Sequence, residues 1–290
     1  PPPPSPPPPS PTSSTRTKLC LWVIENDPEG TVDVRSKMQA AAHAAGNAAW
    51  IDLVDNNVLR LWDASTDFGD FATLRSGYVP SASTLDTCKA LLVWTLQWAC
   101  DASTNTLLND YVDRGGGLVR AHAMYATNGA GCTPTTVSAG GTPVPTTDAL
   151  ATPILSDGVL GGSGTGNDAS PTVDSMHIVT SAHPILTEVT SMEWSSPIEA
   201  SLTIGVSMAS PGTDTVVARW GSSTGPLMIA AGTRTTSGGA TVRRVDLNFP
   251  PISNDMLASS VVYQQVGWLP ASSQGGRLLL NAMLWAAQDI

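Results

Sequence analysis

The chain has few charged residues and very little lysine. Charged side chains make up 13% of its 290 residues, about half of the usual share. Lysine occurs only at Lys18, Lys37 and Lys89. The surface must therefore be built largely from Ser, Thr, Gly, Ala and Asn. Such a surface is typical of a secreted, glycosylated or closely packed protein.

Basic patches and long apolar runs are also missing. The net charge is −10, whereas a nucleic-acid-binding protein needs a basic footprint, so we expect no nucleic-acid partner. No apolar run is long enough to cross a bilayer, so we predict no membrane span. We find no signal peptide, and for a secreted protein we expect this chain to be the mature form. The chain has no Asn-x-Ser/Thr sequon, so any sugar must be O-linked.

Cysteine is scarce as well, and the chain contains only four: Cys20, Cys88, Cys100 and Cys132. None of them forms a C-x-x-C pair, so we predict no zinc site. We also expect no other metal and no cofactor. In a secreted chain these cysteines imply two disulfides, which can be connected in three ways. The alternative is that all of them are buried free thiols.

Proline is abundant at the start of the chain, where residues 1–11 are PPPPSPPPPSP. Proline lacks an amide hydrogen and has a fixed φ, so this segment can form neither a helix nor a sheet ladder. We predict a polyproline II rod about 34 Å long. Residues 1–17 are therefore assigned as tail and linker, and residues 18–290 as one globular domain.

The first part of the domain alternates between apolar runs and helical patterns. The runs predict strands at residues 18–24, 48–54, 89–95 and 118–121, with a polar loop at 25–30 and helices at 31–45 and 103–113. This alternation predicts an α/β domain with a parallel sheet in the order 2-1-3-4, covered on both faces. Cys20 and Cys88 would then start neighbouring strands, and Cys100 and Cys132 would follow neighbouring strands. We therefore predict the disulfides Cys20–Cys88 and Cys100–Cys132.

The second part of the domain begins with an insertion rich in Gly, Ser, Thr and Pro at about residues 128–174. Short strand-like runs follow and predict an antiparallel extension of the sheet. They lie at residues 185–192 (continuing to Glu193 and Trp194), 202–208, 215–220, 226–231 and 240–249. An amphipathic helix at 277–288 is expected to close the domain.

Three segments resemble the ThuA-like (trehalose-utilisation) branch of the class I glutamine amidotransferase-like superfamily. They are residues 107–122 (LLNDYVDRGGGLVRAH), 183–186 (HPIL), and 245–250 (VDLNFP) followed by 279–285 (LLNAMLW). The resemblance spans residues 18–290 and implies a flavodoxin-like, three-layer α/β fold. In active amidotransferases of this superfamily a cysteine occupies the turn after the strand that corresponds to residues 118–121. This chain has Ala121, His122, Ala123 and Met124 there, so we expect no amidotransferase chemistry.

His122 is the strongest candidate for a functional side chain. It follows a predicted parallel strand, at the sheet edge where ligands bind in open α/β folds. Glu25, Asp27 and Gln97 should approach the same edge. We therefore consider His122, Glu25 and Asp27 as catalytic candidates that could share a polar pocket or hold a metal ion. The alternative is a histidine that only makes structural hydrogen bonds.

Other polar and aromatic residues are expected to be structural. His183 precedes Pro184 and should shape a turn. Asp246 and Asn248 share one face of a predicted strand, where they could satisfy backbone groups of loops. The nine tryptophans are scattered along the chain and are expected to pack in the core or contact sugar.

The proline segment resembles the hydroxyproline-rich glycoproteins of plants and green algae, in particular extensin-like and pherophorin-like segments. This resemblance implies proline hydroxylation and O-linked glycans. The implied sites are Pro2, Pro3, Pro4, Ser5, Pro7, Pro8, Pro9 and Ser10. A plain proline linker without modification is the alternative.

The sequence therefore predicts an extracellular, O-glycosylated structural subunit of a filament or matrix. Self-assembly would run through the proline segment, and the amidotransferase-like domain would be catalytically degenerate. Two alternatives remain open: a ThuA-like hydrolase, or a carbohydrate-binding module, either one using a pocket around His122. Exposed, coplanar tryptophans would favour the carbohydrate-binding module.

Overall fold

The computed structural model describes most of the predicted domain. It covers residues 19–23, 28–44, 81–95, 102–122, 173–198, 214–225, 227–236, 239–247, 249–255 and 267–290. The proline segment, nearly all of the predicted insertion at 128–174, and the predicted strands at 48–54 and 202–208 lie outside these residues. The described helices include none that is long and apolar enough to cross a membrane.

The described strands form one mixed sheet. They are β1 (Leu19–Val23), β2 (Ala90–Thr95), β3 (Gly117–His122), β4 (Val173–Ile178), β5 (Glu193–Ile198), β6 (Thr215–Trp220), β7 (Leu227–Thr235) and β8 (Thr241–Leu247). Their order across the sheet is β1-β2-β3-β8-β7-β6-β4-β5. Strands β1, β2, β3 and β8 are parallel to one another, whereas β7, β6, β4 and β5 continue the sheet in antiparallel fashion.

Helices cover both faces of this sheet. They are α1 (Pro28–Ala44), α2 (Ala82–Leu85), α3 (Ala102–Asp113) and α4 (Gly275–Ala286). Side chains of α1 and α4 share one apolar cluster with alternate residues of the strands, and side chains of α2 and α3 share a second cluster with the intervening residues. Because successive strand residues point to opposite faces, these clusters lie on the two sides of the sheet. The architecture is compatible with a flavodoxin-like α/β fold.

The order of β1, β2 and β3 agrees with the sequence prediction, whereas β8, predicted in the antiparallel extension, lies parallel to β3. The predicted first, third and fourth strands are neighbours in that order, as β1, β2 and β3. Cys20 and Cys88 form a disulfide with a Cα–Cα distance of 5.8 Å, which confirms that predicted pairing. Cys100 and Cys132 lie outside the described residues, so their pairing stays a prediction.

Two local predictions were wrong. Residues 28–30 were assigned to a loop, but α1 already begins at Pro28, because the first helical position has no need of an amide hydrogen. Residues 185–192 were predicted as a strand, whereas a short 3₁₀ helix spans Pro184–Leu186. The Asn281 side chain on α4 donates hydrogen bonds to the carbonyls of Ile185 and Thr187. Ile185 and Leu186 are thus buried in a turn that hydrogen bonds from α4 hold in place.

The antiparallel half is longer than the sequence indicated. Strands β6, β7 and β8 match predicted runs, with β7 extending four residues beyond the predicted 226–231 to Thr235. Strand β4 was not predicted, since it overlaps the end of the assigned insertion. It pairs with both β5 and β6 and so links the outermost strand to the rest of the sheet.

Candidate functional site

The carboxyl ends of β1, β2, β3 and β8 meet at one edge of the sheet, because these strands are parallel. His122 is the last residue of β3 and is in register with Thr95 at the end of β2. The structure therefore places the backbone of His122 at the predicted edge. Glu25, Asp27 and Gln97 lie outside the described residues, so the predicted pocket that combines them with His122 stays a prediction.

A buried ion pair connects β3 with β8 two residues before this edge. The Arg120 side chain donates from Nε to Asp246 Oδ1 at 2.8 Å and from Nη2 to Asp246 Oδ2 at 2.9 Å. Both side chains are completely buried. Arg244 Nη2 lies 3.6 Å from Asp246 Oδ2, so one carboxylate serves two guanidinium groups.

A second pair extends these charges toward β6. Arg234 on β7 donates both of its terminal nitrogens to the carboxylate of Asp214, which precedes β6. Gly232 leaves room for this contact, because a Cβ at that position would lie 1.8 Å from Asp214 Oδ1. The charged side chains thus follow one another across β3, β8 and β7 on one face of the sheet.

The electrostatics of this cluster favour the charged form of Asp246. Burial by itself raises the pKa of Asp246, but the neighbouring Arg120 and Arg244 charges outweigh it and hold the pKa below its ordinary value. Burial, together with the positive charge of Arg120, lowers the pKa of Arg244 to about 10. At neutral pH Asp246 and Arg244 are therefore ionised, and the cluster ties β3 to β8.

The role expected for Asp246 from the sequence was therefore wrong. Among the described residues its carboxylate binds arginines from β3 and β8, while Asn248 lies outside these residues. Sequence reasoning missed Arg120 and Arg244. The signal was available, since charged residues of opposite sign stand inside runs that otherwise predict buried strands.

The segment after β8 contains a serine, Ser253, whose hydroxyl lies between two carboxylates. Ser253, in the segment after β8, donates from its backbone nitrogen to Asp33 Oδ2 at 2.6 Å and from Oγ to Asp33 Oδ1 at 2.8 Å. The same hydroxyl also contacts Asp255 Oδ1. Lys37 Nζ, on α1, donates to Asp255 Oδ2 at 2.5 Å. This clamp fastens the segment after β8 to α1.

The protonation of the clamp follows from its geometry. A hydroxyl carries one hydrogen and can donate it to only one of the two carboxyl groups. Burial raises the pKa of Asp33, and the hydrogen bonds from Ser253 offset only part of that effect. Burial also acts on Asp255, but the hydrogen bonds from Lys37 and Ser253 outweigh it and lower its pKa. Asp33 is therefore the carboxyl group that takes up a proton first.

Burial keeps Ser253 from acting on a substrate. Ser253 is 0% exposed, so its hydroxyl cannot reach a substrate in this arrangement. A serine nucleophile also needs an adjacent base and an accessible reacting position. We interpret Asp33, Lys37, Ser253 and Asp255 as a structural clamp, which sequence reasoning did not anticipate because its residues come from distant parts of the chain.

The surroundings of His183 are structural. His183 Nδ1 accepts a hydrogen bond from the backbone of Ile185, which confirms that this residue shapes a turn. Burial and the nearby Arg243 charge lower the pKa of His183. His177 on β4 is in register with Arg219. Within the described ranges, no group of three His, Cys, Asp or Glu side chains is placed to hold a metal ion.

The described tryptophans belong to the core. Those that the structure describes are all buried: Trp22, Trp94, Trp194, Trp220, Trp268 and Trp285. Trp194, Trp220 and Phe249 form a cluster of tilted and edge-on ring contacts. None of these rings offers an exposed face for stacking on sugar, and Trp50, Trp62 and Trp98 lie outside the described residues.

Comparison with known proteins gives a limited result. No family model and no curated protein matches the chain. In structure it is similar to a protein described as ThuA-like from Bacteroides uniformis, at 12% identity and a TM-score of 0.45 over 95% of this chain and 93% of that one. It is also similar to a protein described as ThuA-like from Parabacteroides merdae, at 13% identity and a TM-score of 0.45 over 93% and 90% of the two chains. A cytoplasmic protein from Salmonella typhimurium gives 10% identity and a TM-score of 0.42 over 93% and 98%. Because all three TM-scores are low, we base no functional argument on these similarities.

Proposed function

We propose that the chain is a secreted, O-glycosylated structural subunit of an extracellular filament or matrix. In this proposal the amidotransferase-like domain is the body of the subunit, and the proline segment connects one subunit to another. Because the domain lacks the cysteine that active amidotransferases carry after β3, we infer that it is catalytically degenerate.

The buried Cys20–Cys88 disulfide is the observation that carries the extracellular part of the proposal. It joins β1 to the segment just before β2, and its two cysteines are separated by 68 positions in the chain. Structural disulfides persist mainly in oxidising compartments. The scarcity of lysine and charge supports the same location, since a surface of small polar residues suits close packing between subunits.

The proline segment supports the assembly part of the proposal. A polyproline II rod of about 34 Å is long enough to reach a groove on the near side of a neighbouring subunit. Such rods bind in grooves at a small entropic cost because they are already extended. A contact from the segment of one copy to the domain of the next is head-to-tail, and contacts of this kind build filaments when they do not close into a ring.

Removal of residues 1–17 tests this proposal. We expect the truncated protein to remain folded but to lose assembly, as measured by sedimentation and electron microscopy. The matched control keeps the length of the segment and replaces its prolines with Gly and Ser, which abolishes the stiff rod, and it should fail to assemble as well. Filaments formed by the truncated protein would refute the proposed role of the segment. Mass spectrometry of the native proline peptide tests for hydroxylation and sugar independently.

A further inference from the structure

The clamp around Ser253 has more polar contacts than hydrogens to fill them. Ser253 N contacts Asp33 Oδ2, Ser253 Oγ contacts both Asp33 Oδ1 and Asp255 Oδ1, and Lys37 Nζ contacts Asp255 Oδ2. Ionised carboxylates only accept hydrogen bonds, and a hydroxyl has one hydrogen to donate. With both carboxyl groups ionised, one contact between Ser253 Oγ and a carboxylate oxygen therefore contains no hydrogen.

A proton on one of the two carboxyl groups completes the clamp. With Asp33 protonated, its Oδ1 donates to Ser253 Oγ, and the hydroxyl hydrogen of Ser253 goes to Asp255 Oδ1. Every contact of the clamp then contains one hydrogen. The distances from Ser253 to Asp33, 2.6 Å from the nitrogen and 2.8 Å from Oγ, are hydrogen-bond distances already. Proton uptake therefore needs a rotation of the hydroxyl hydrogen and no movement of heavier atoms.

Burial decides which carboxyl group holds this proton. Asp33 is 7% exposed, whereas the Asp255 side chain is 47% exposed and is paired with Lys37. A buried carboxyl group favours its neutral form, and a neighbouring ammonium group favours the ionised form. In agreement with this contrast, the pKa of Asp33 is raised above its ordinary value, mainly by burial, and the pKa of Asp255 is lowered. The proton therefore belongs on Asp33.

The charged groups around Asp33 act on it in opposite directions. Within the described ranges, Lys37 on its own helix favours the carboxylate, and Asp255 in the segment after β8 disfavours it. Helix α4 also packs on α1, and its Arg277 is paired with Glu188. Burial has the largest effect on the pKa of Asp33, so these charges adjust the proton affinity of the clamp without reversing it.

We propose that Asp33, Ser253 and Asp255 form a proton-operated clamp between α1 and the segment after β8. When Asp33 takes up a proton from solvent, it donates to Ser253 Oγ and turns the hydroxyl hydrogen toward Asp255. When Asp33 releases the proton, one of these contacts becomes a repulsion between two oxygens, and the clamp weakens. The clamp thus tightens in acid, whereas acid breaks an ordinary carboxylate clamp. This behaviour does not depend on how the chain assembles.

The direction of the pH effect follows from linkage. Because the pKa of Asp33 is raised above 3.8 in the folded protein, the contribution of its proton to stability is complete below that pH and is lost as the pH rises through the folded pKa. The His183 cap responds to acid in the opposite direction, so a melting temperature adds the two effects. The backbone N–H of Ser253, which donates to Asp33, gives a local measurement of the clamp.

Hydrogen exchange of the Ser253 amide in the full chain, followed by NMR, tests the clamp. We expect its protection factor, which corrects for the intrinsic pH dependence of exchange, to rise about fivefold or more between about pH 7 and about pH 4. Asp33→Asn mimics the protonated carboxyl group, because its amide can donate to Ser253 Oγ, and its protection should be high throughout and vary less than about twofold. Protection that stays constant or falls in acid in the native protein would overturn the proposal, since the hydroxyl hydrogen would then be shared between two carboxylates.

An NMR titration of the Asp33 carboxyl carbon in the native protein decides the question even if Asp33→Asn does not fold. We expect a midpoint above the ordinary value of 3.8, and a midpoint at or below that value would contradict the clamp. Asp86→Asn is the matched control, because it removes the same charge from an exposed pair with Arg114 and should leave the acid response of Ser253 unchanged. If Asp86→Asn abolishes that response as Asp33→Asn does, the response comes from net charge, and its assignment to Asp33 is wrong.

Discussion

Asp246 illustrates how one residue can hold together two neighbouring strands of a sheet. Its carboxylate is completely buried and binds Arg120 on β3 and Arg244 on its own strand, β8. A buried ion pair recovers its desolvation cost only when its geometry is good. The two hydrogen bonds from Arg120, each below 3 Å, meet that requirement.

Asp246→Asn tests this residue directly. The substitution keeps the size of the side chain but leaves two buried arginines without their carboxylate, so we expect a loss of about 3–5 kcal/mol in the free energy of unfolding. Urea titration measures the change. Asp86→Asn is the matched control, because it breaks an exposed pair with Arg114 and should cost below about 1 kcal/mol. Similar costs for the two variants would contradict this role of Asp246.

The contrast between Asp246 and Cys20 shows what the sequence can predict at this scale. The pairing of Cys20 with Cys88 followed from the order of three strands that alternate with helices along the chain. Asp246 lies 126 residues after its partner Arg120, on a strand that joins the sheet only after the insertion. No local pattern indicates that β8 lies beside β3, so neither the ion pair nor the Asp33–Ser253 clamp could be derived.

At the scale of elements, the glycine turn between α3 and β3 explains why the helix predicted at residues 103–113 ends where it does. Gly115 has a φ of +100°, in the left-handed region. The backbone nitrogens of Gly115 and Gly116 donate to the carbonyls of Val112 and Tyr111 and so end α3 in a Schellman motif. A Cβ on Gly116 would lie 2.2 Å from the Tyr111 ring. Turn chemistry of this kind is local, which is why the sequence indicates it.

The segment around His183 was harder to predict, because its apolar residues suit a strand as well as a turn. The deciding contacts come from elsewhere: Asn281 on α4 binds the turn, and the ring of Trp285 lies 5.1 Å from the His183 ring between centroids. His183 itself caps the 3₁₀ helix through Nδ1, which must be unprotonated to accept the hydrogen bond.

This cap predicts a pH dependence for the turn. The folded pKa of His183 is lowered from 6.5 by burial and then by Arg243, so its contribution to stability is present above about pH 6.5 and is lost as the pH falls below that value. We expect the melting temperature to decrease over this range. In His183→Asn, whose cap does not titrate, the decrease should be smaller. Identical pH profiles for the two proteins would show that the cap does not contribute.

At the scale of the whole molecule, the sheet has a predictable half and an unpredictable one. Strands β1, β2 and β3 alternate with helices along the chain, and such an alternation predicts a sheet of parallel neighbours. Beyond β3 the chain returns from the far edge, with β4 and β5 outermost and β8 in the middle. Spacing along the sequence does not indicate such a return, and β4 lies where composition favoured an insertion.

The Cys20–Cys88 disulfide links β1 to the segment before β2 across a long stretch of chain. Its removal therefore tests the stability of the whole domain. A crosslink between cysteines separated by 68 positions restricts the unfolded chain and should stabilise the fold by about 4 kcal/mol. The double variant Cys20→Ala and Cys88→Ala should lose about that amount in urea titration, and the native protein should lose a similar amount in reductant. Adding reductant to the double variant shows how much any remaining disulfide contributes. A double variant within about 1 kcal/mol of the native protein would mean that packing alone holds β1 beside β2, and the extracellular proposal would then lose its main structural support.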